Sequence, residues 1–360
     1  MNNSMLTQFK ITPAHLKLLE RLSNADGVSG NEGNVRAIVR KEVEPYCDEI
    51  KVDAMGNLLA LKRSKAAKPV KVLVAAHMDE VGFMIVDEDI DGLFSFDVVG
   101  GIDERQMLAK TVTIGKEKIP GIIGSKPIHL MEESEIHSTV PQSAMRIDVA
   151  PANASKVKVG DYAAFATRFH QAGGTIFGKA LDDRLGVASL IELLKNAPAN
   201  VEFMAAFTVQ EELGLRGARV AAFAFQPDFA FALDSTPAID LPRPDGEENV
   251  QYNCRLNAGP AIYLADAGTI SDPRLVRFLT QTAERNGIPY QFRQPGGGGT
   301  DAGALHKTRA GIPTISISVP GRYAHTAIMM ARVQDWENTI RLMRHVFESI
   351  SLELLAVDRS

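Results

Sequence analysis

The stretch Val70-Lys71-Val72-Leu73-Val74-Ala75-Ala76-His77-Met78-Asp79-Glu80 decides how the rest of the chain is read. Its first seven residues are apolar and largely β-branched apart from one lysine, the mark of a strand buried on both faces. The next four bring an imidazole and two carboxyls together abruptly. A strand buried on both faces belongs to a sheet covered by helices, and ligands bind such sheets at the carboxyl ends of their parallel strands. The His77-x-Asp79 step therefore directs attention to the other strand ends.

Working outward, residues 13–23 and 32–46 read as helices, the second opening at Ser29-Gly30-Asn31-Glu32, where Ser or Asn can cap. Ile50-Lys51-Val52 and Leu58 to Leu61 read as a strand pair around the turn Asp53 to Asn57. From about 80 to 168 the texture changes to short alternating segments between Gly, Pro and Asp turns, such as Phe83 to Val86, Thr111 to Ile114 and Met145 to Val149. After 175, strand and helix alternate again, with helices at 183–196, 272–286 and 334–355 and strands at 201–209, 229–233 and 312–319. The expected fold class is α/β, a mostly parallel sheet sandwiched by helices with a small all-β domain inserted. The expected division is 1–79 with 169–360 as the catalytic domain and 80–168 as the insert.

Ionisable residues collect at the expected strand ends. His77, Asp79 and Glu80 follow the first strand, Gln210-Glu211-Glu212 the second, and Asp234 the third; His325 follows the last, and Asp182-Asp183-Arg184 opens a helix. Each cluster alone has an ordinary explanation, since a lone His after a strand is often just hydrogen-bonded and an Asp before a helix is usually a cap. Five together do not, because carboxylates gathered without counter-charge repel one another. His77, Asp182, Glu212, Asp234 and His325 offer three carboxylates and two imidazoles, a set suited to zinc, cobalt or manganese rather than calcium. With Glu211 the cleft gathers four negative charges, which two divalent cations would balance. Two such ions need a bridging carboxylate.

Composition narrows the classes. Over 360 residues, 45% hydrophobic and 23% charged are globular values, and the length suits two domains. A net charge of −5 leaves no basic footprint for nucleic acid or for an anionic membrane. The start MNNSMLTQFKITPAH lacks an apolar core after a basic stretch, and no apolar run reaches membrane-spanning length. The two cysteines, Cys47 and Cys254, form no disulfide framework or paired metal spacing, and the expected compartment is cytoplasmic.

With these motifs assembled, the chain resembles the tetrahedral-type metalloaminopeptidases, the glutamyl-aminopeptidase family of co-catalytic zinc or cobalt exopeptidases. The matching stretches include Val28 to Glu32, Ala76 to Phe83, Gly100 to Asp103, Gly121 to Pro127, Lys179 to Arg184, Gln210 to Gly217, Gly297 to Gly303 and Tyr323 to Thr326, in family order along nearly the whole chain. The resemblance implies two divalent metal ions, zinc or cobalt, in each subunit of a zinc-peptidase-type fold. Asp182 would bridge them, His77 and Asp234 would complete one site, and Glu212 and His325 the other. It further implies Glu211 as general base, Asp79 as the group orienting the His77 imidazole, and a cis peptide after Asp182. Ile102 departs from the aromatic residue frequent at its position.

The implied activity is hydrolysis of N-terminal residues from short peptides. The implied assembly is a homo-oligomer of dimers, joined largely through the insert and arranged as a tetrahedral dodecamer. Two other readings share the residues: a two-metal carboxypeptidase, deacylase or amidase on the same fold, and a metal-stabilised assembly protein without catalysis. Glu211 argues against the latter, since a structural metal needs no free base beside it. A glycosidase would leave the imidazoles unexplained. Neither the preferred N-terminal side chain nor the choice of zinc or cobalt can be read from the residues.

Overall fold

A computed structural model of the chain describes residues 9–247, 249–250, 253–294 and 297–359. The first eight residues, part of the stretch read for a leader, and Gly296, where the four-glycine run begins, lie outside the described residues. Among the described residues, eleven strands form one sheet and six close into a barrel.

The sheet contains β1 (Glu49–Val52), β2 (Leu58–Lys62) and β3 (Val70–His77). The barrel follows as β4 (Gly82–Ile90), β5 (Leu93–Val99), β6 (Thr111–Ile114), β7 (Ile119–Gly124), β8 (Arg146–Asp148) and β9 (Tyr162–Phe165). The chain then returns to the sheet as β10 (His170–Ala172), β11 (Thr175–Gly178), β12 (Val201–Thr208) and β13 (Phe229–Pro237). It ends with β14 (Ala261–Tyr263), β15 (Gln291–Arg293), β16 (Thr314–Arg322) and β17 (Met329–Arg332). The helices are α1 (Pro13–Asn24), α2 (Gly33–Val43), the single turn α3 (Glu133–Ile136), α4 (Leu181–Lys195), α5 (Arg216–Phe225), α6 (Pro273–Arg285), the single turn α7 (Ala302–Leu305) and α8 (Val333–Ser349).

The strand order β1-β2-β12-β3-β13-β16-β17-β11-β10 corrects the expectation of a mostly parallel sheet. Only the central run β12-β3-β13-β16 and the side pair β14-β15 are parallel. Both margins are antiparallel: β1 with β2, β10 with β11 and β16 with β17 are joined by connections too short to cross over, and β2 with β12 and β11 with β17 pair strands distant in the chain. The sheet is mixed. Its parallel centre is nevertheless where the apolar runs were read, and it carries the strand ends of interest.

Alternation along β3 divides its side chains between two layers. Val72, Val74 and Ala76 join the core with Leu19 of α1, Val39 of α2, Leu185 of α4, Leu275 of α6 and Trp336 of α8. Leu73 and Ala75 join a second core with Ala218, Ala221 and Ala222 of α5 and Leu305 of α7. Burying both faces is what an apolar run without polar alternation requires. The barrel has a core of its own, in which Phe83 meets Phe96 and Phe165 edge-on at centroid distances of 5.2 Å.

Several boundaries differ from the expected ones. α2 stops at Val43 and continues only as a 3₁₀ turn over Glu44–Tyr46, where Pro45 lacks the amide donor a helix needs. α8 ends at Ser349 rather than 355. α5 was not foreseen; its buried stripe is made of Gly217 and alanines. Among the described residues, no helix is long and apolar enough to cross a membrane.

Candidate active site

The four parallel strands end side by side, and their ends supply the ionisable side chains. His77 is the last residue of β3 and lies in register with Thr208, the last of β12. Glu211 and Glu212 begin the loop after β12. Asp234 lies inside β13, which runs on to Pro237 instead of stopping at 233. His325 follows β16 by three residues. Asp182 sits at the kinked start of α4, and the Asp182–Asp183 peptide is cis, as the resemblance implies.

Asp182 stands at the middle of the cluster. Its Oδ1 lies 3.3 Å from Nε2 of His77 and its Oδ2 lies 3.5 Å from Nε2 of His325. Asp234 Oδ1 is 3.7 Å from Nε2 of His77, and Glu212 Oε2 is 3.4 Å from Nε2 of His325. All five residues expected to bind metal are thus brought together, in two groups that share Asp182. Glu211 lines the same cleft, of about 490 Å³.

Both imidazoles are held from behind. Nδ1 of His77 faces the Asp79 carbonyl oxygen at 3.2 Å and the Asp79 carboxylate at 3.5 Å. Asp79 in turn accepts hydrogen bonds from Ser29 Oγ (2.6 Å) and from the backbone N–H groups of Glu211 (3.0 Å) and Glu212 (3.2 Å). Nδ1 of His325 is bonded to the Gly101 carbonyl oxygen at 2.9 Å, across from the barrel. Each Nε2 is thereby left facing the carboxylates.

Some of these contacts replace the expected capping roles. Ser29 does not cap α2; its hydroxyl serves Asp79. Asp301, which precedes α7, makes no cap bond and instead accepts from Thr208 Oγ1 at 2.6 Å. Asp183 accepts from the Gly186 N–H at 2.9 Å and comes within ligand reach of His77 and Asp234, a residue the sequence reading passed over as a cap.

A buried ion cluster that the sequence reading also missed fixes the start of α4. Lys179 Nζ donates to both oxygens of Glu80 (2.7 and 2.8 Å) and to the Ala25 carbonyl oxygen (3.2 Å). Arg184 donates to Glu80, to the Met78 carbonyl oxygen at 3.0 Å and to the carbonyls of Leu22 and Ala25. The end of β3, the end of α1 and the start of α4 are tied to one carboxylate. The loop with Glu211 and Glu212 is tied at its other end: Asn57 accepts from the Val209 N–H and donates to the Gly217 carbonyl oxygen, both at 3.0 Å. Ala180, Gln210, Leu215 and His325 all have positive φ, a concentration of costly backbone geometry around one cleft.

Electrostatics reflect carboxylates buried close to one another. Burial pushes Glu212 up to about 8 and Asp234 up to about 6, with the neighbouring Asp182 adding to both. Glu211 is driven well above the usual carboxylate range by burial, reinforced by Asp234, Asp301 and Glu212. The Asp182 carboxylate raises His325 to about 10. Burial works against protonation of His77, but Asp182, Asp234 and Asp79 outweigh it and hold the imidazolium well above its ordinary value. The ion-pair partners of Asp182, Glu212 and Asp234 are these imidazoles. Such a donor set fits divalent cations, and His77, Asp182 and Glu212 place one ligand atom each within 4.8 Å of one another, as do His77, Asp183 and Asp234.

The model of the M42 glutamyl aminopeptidase family matches residues 56–342. The chain belongs to this family. The lysyl aminopeptidase of Pyrococcus furiosus is 31% identical over 348 residues, spanning 93% of this chain and 97% of its own. The crystal structure of the TET aminopeptidase from the marine sediment archaeon Thaumarchaeota archaeon SCGC AB-539-E09 superposes with a TM-score of 0.89 at 32% identity, covering 95% of this chain and 98% of that one. The TET1 peptidase of Pyrococcus horikoshii, described as able to assemble into a tetrahedron or a large octahedral shell, superposes with a TM-score of 0.80 at 32% identity, covering 93% and 100%. Membership makes the chain a peptide hydrolase. The names "glutamyl" and "lysyl" within one family also mean that membership does not fix the side chain preferred.

Proposed function

We propose that the protein is a metal-dependent aminopeptidase that removes N-terminal residues from short peptides at a two-cation centre. The observation that carries this is Asp182, whose two oxygens face different imidazoles at 3.3 and 3.5 Å. His77 and Asp234 would hold one ion with it, and Glu212 and His325 the other. Divalent cations, zinc or cobalt, would supply an acidified water and polarise the scissile carbonyl. Glu211 would accept a proton from the attacking water and pass it to the leaving amine as the C–N bond breaks. Its raised affinity for protons suits both halves of that transfer. Asp79 acts through His77, by orienting the imidazole. The free α-amino group of the substrate would be received by the acidic cluster.

The same proposal covers organisation. Residues 1–79 and 169–360 form the catalytic domain, and 80–168 the insert through which copies pair in the cytoplasm. Support comes from apolar side chains left exposed on the insert at Ile122, Ile128, Leu130 and Ile136. A tetrahedral dodecamer follows by likeness to the TET1 peptidase. Light scattering should then give a particle of twelve times 39.1 kDa, or a dimer; a stable monomer would remove the assembly.

The activity test uses metal-stripped protein reloaded with zinc or cobalt and two peptide panels, identical except that one is N-acetylated. Stepwise loss of residues from the free panel alone is expected. Cleavage of the acetylated panel would move the reading to a carboxypeptidase or deacylase. Silence on both, with metal bound, would leave an assembly protein without catalysis.

A further inference from the structure

We propose that Glu32 is a positioning residue for Glu211: its buried side chain holds the Gln210 backbone amide and so sets the direction in which the general base points. This rests on the aminopeptidase reading and adds to it a residue that acts through the backbone.

Glu32 directly precedes α2, where an acidic side chain ordinarily serves the helix start. It makes no cap bond there. Its Oε1 instead accepts from the N–H of Gly30 at 2.6 Å and from the N–H of Gln210 at 3.3 Å, 178 residues further along the chain. The next two amides, of Glu211 and Glu212, donate to Asp79. Three successive N–H groups of the loop after β12 therefore converge on two buried carboxyl groups, an anion nest whose anions the chain itself supplies. Gln210 has a φ of 55°, a costly conformation for a residue with a side chain, and Glu32 holds the loop at that residue. The segment from Ser29 to Glu32 grips twice, since the Ser29 hydroxyl also binds Asp79.

What this grip controls is Glu211. Among the described residues, Glu211 makes hydrogen bonds through its backbone only: its N–H donates to Asp79 and its carbonyl accepts from Gly214 and Leu215. Its carboxyl group is aimed by the backbone that carries it. Asp79 serves His77 as well, so its loss would disturb a ligand candidate and the base together. The side-chain hydrogen bonds of Glu32 go to Gly30 and Gln210, which separates the two effects. The helix does not account for the burial of Glu32, because an exposed glutamate would serve its start equally well. Only 4% of Glu32 is exposed, and burial, reinforced by the Asp79 charge, raises its proton affinity above the ordinary value. A carboxyl group kept there against that cost has its return in the Gln210 amide.

The test uses the metal-loaded enzyme with Glu32→Ala, Glu32→Asp and Glu32→Gln, and reads kcat and KM separately on one free-amino peptide, with bound metal by elemental analysis. The Ala and Asp variants, which lose or withdraw the acceptor, should lower kcat by about 10–100-fold, with KM within about threefold and metal content unchanged. The Gln variant, which keeps an acceptor oxygen at the same reach, should stay within about threefold of the wild type. Amide hydrogen exchange should quicken over residues 209–214 in the Ala and Asp variants and not in the Gln variant. Wild-type kcat in the Ala and Asp variants, a loss of metal or a rise in KM matching the fall in kcat, or a Gln variant as slow as Ala would overturn the proposal. Should the Ala variant not fold, the Asp and Gln variants decide. Should the wild type cleave no peptide at all, the aminopeptidase reading fails, and exchange over 209–214 alone decides whether Glu32 holds this loop.

Discussion

At the scale of single residues, two carboxylates next to each other in sequence divide the labour. Glu212 faces His325, whereas Glu211 has no place in either proposed cation group. Glu211→Gln should therefore lower kcat by about 10²–10⁴ with bound metal unchanged; elemental analysis beside kinetics checks both halves, and a variant with full activity would sink the role. Asp79 should behave in the opposite way. Asp79→Ala removes the group behind His77 and the acceptor for two backbone amides, and should weaken metal affinity by about 10–100-fold, read by competition with a chromogenic chelator. Four of the five ligand candidates were legible in sequence because they follow apolar runs, and Asp182 because it opens a helix beside them. Arg293, which also lines the cleft, was not, because Gln291-Phe292-Arg293 carries no such contrast and only the fold brings it to Tyr263 and Thr236. Ser29 misled because Ser before a helix is a common cap, and only its tertiary contact with Asp79 reassigns it.

Elements are placed by a few buried polar ties. Glu80 holds Lys179 and Arg184 where β3, α1 and α4 meet, so buried charges fix the bend at Asp182. Lys179→Met should destabilise the fold by about 3 kcal/mol, the low end for breaking a buried pair, because Arg184 still faces Glu80; urea midpoints measure it, and an unchanged midpoint would contradict the role. Gly217 is a tie of another kind. A Cβ there would lie 2.2 Å from Asn57 Oδ1 and 2.6 Å from the Val209 carbonyl oxygen, so Gly217→Ala must displace the loop that carries Glu211 and Glu212. A stability loss of about 1–3 kcal/mol from overpacking should accompany a fall in kcat. The parallel centre of the sheet was readable because strands buried on both faces are written as apolar runs. Its antiparallel margins were not, since strands as short and polar as His170–Ala172 resemble loops until a neighbour pairs with them.

For the whole molecule, the cluster makes stability depend on protons and cations together. Without cations, Asp234 titrates near 6, Glu212 near 8 and His325 near 10, each above its ordinary value. A group raised in the folded state contributes stability below its unfolded pKa and loses it as pH rises through the folded one. Asp182 is shifted the other way, and its loss falls at acid pH, outside this window. The metal-free protein should therefore lose Tm from pH 6 to 9. Added zinc or cobalt should raise Tm by an amount that grows over the same range, because cations replace departing protons. Scanning calorimetry at several pH values checks this; a metal-induced gain that shrinks with pH would contradict it.

The bond between the Gly101 carbonyl and His325 joins the two halves of the molecule at its most sensitive point. Gly101 follows β5 of the barrel, while His325 lies three residues beyond β16, so the imidazole is oriented by a part of the chain outside its own sheet. A shift of the barrel that moved the Gly101 carbonyl would leave this ring without the acceptor that holds its Nδ1, so a contact made on the barrel by a second copy or by an engineered binder is expected to change the rate of turnover.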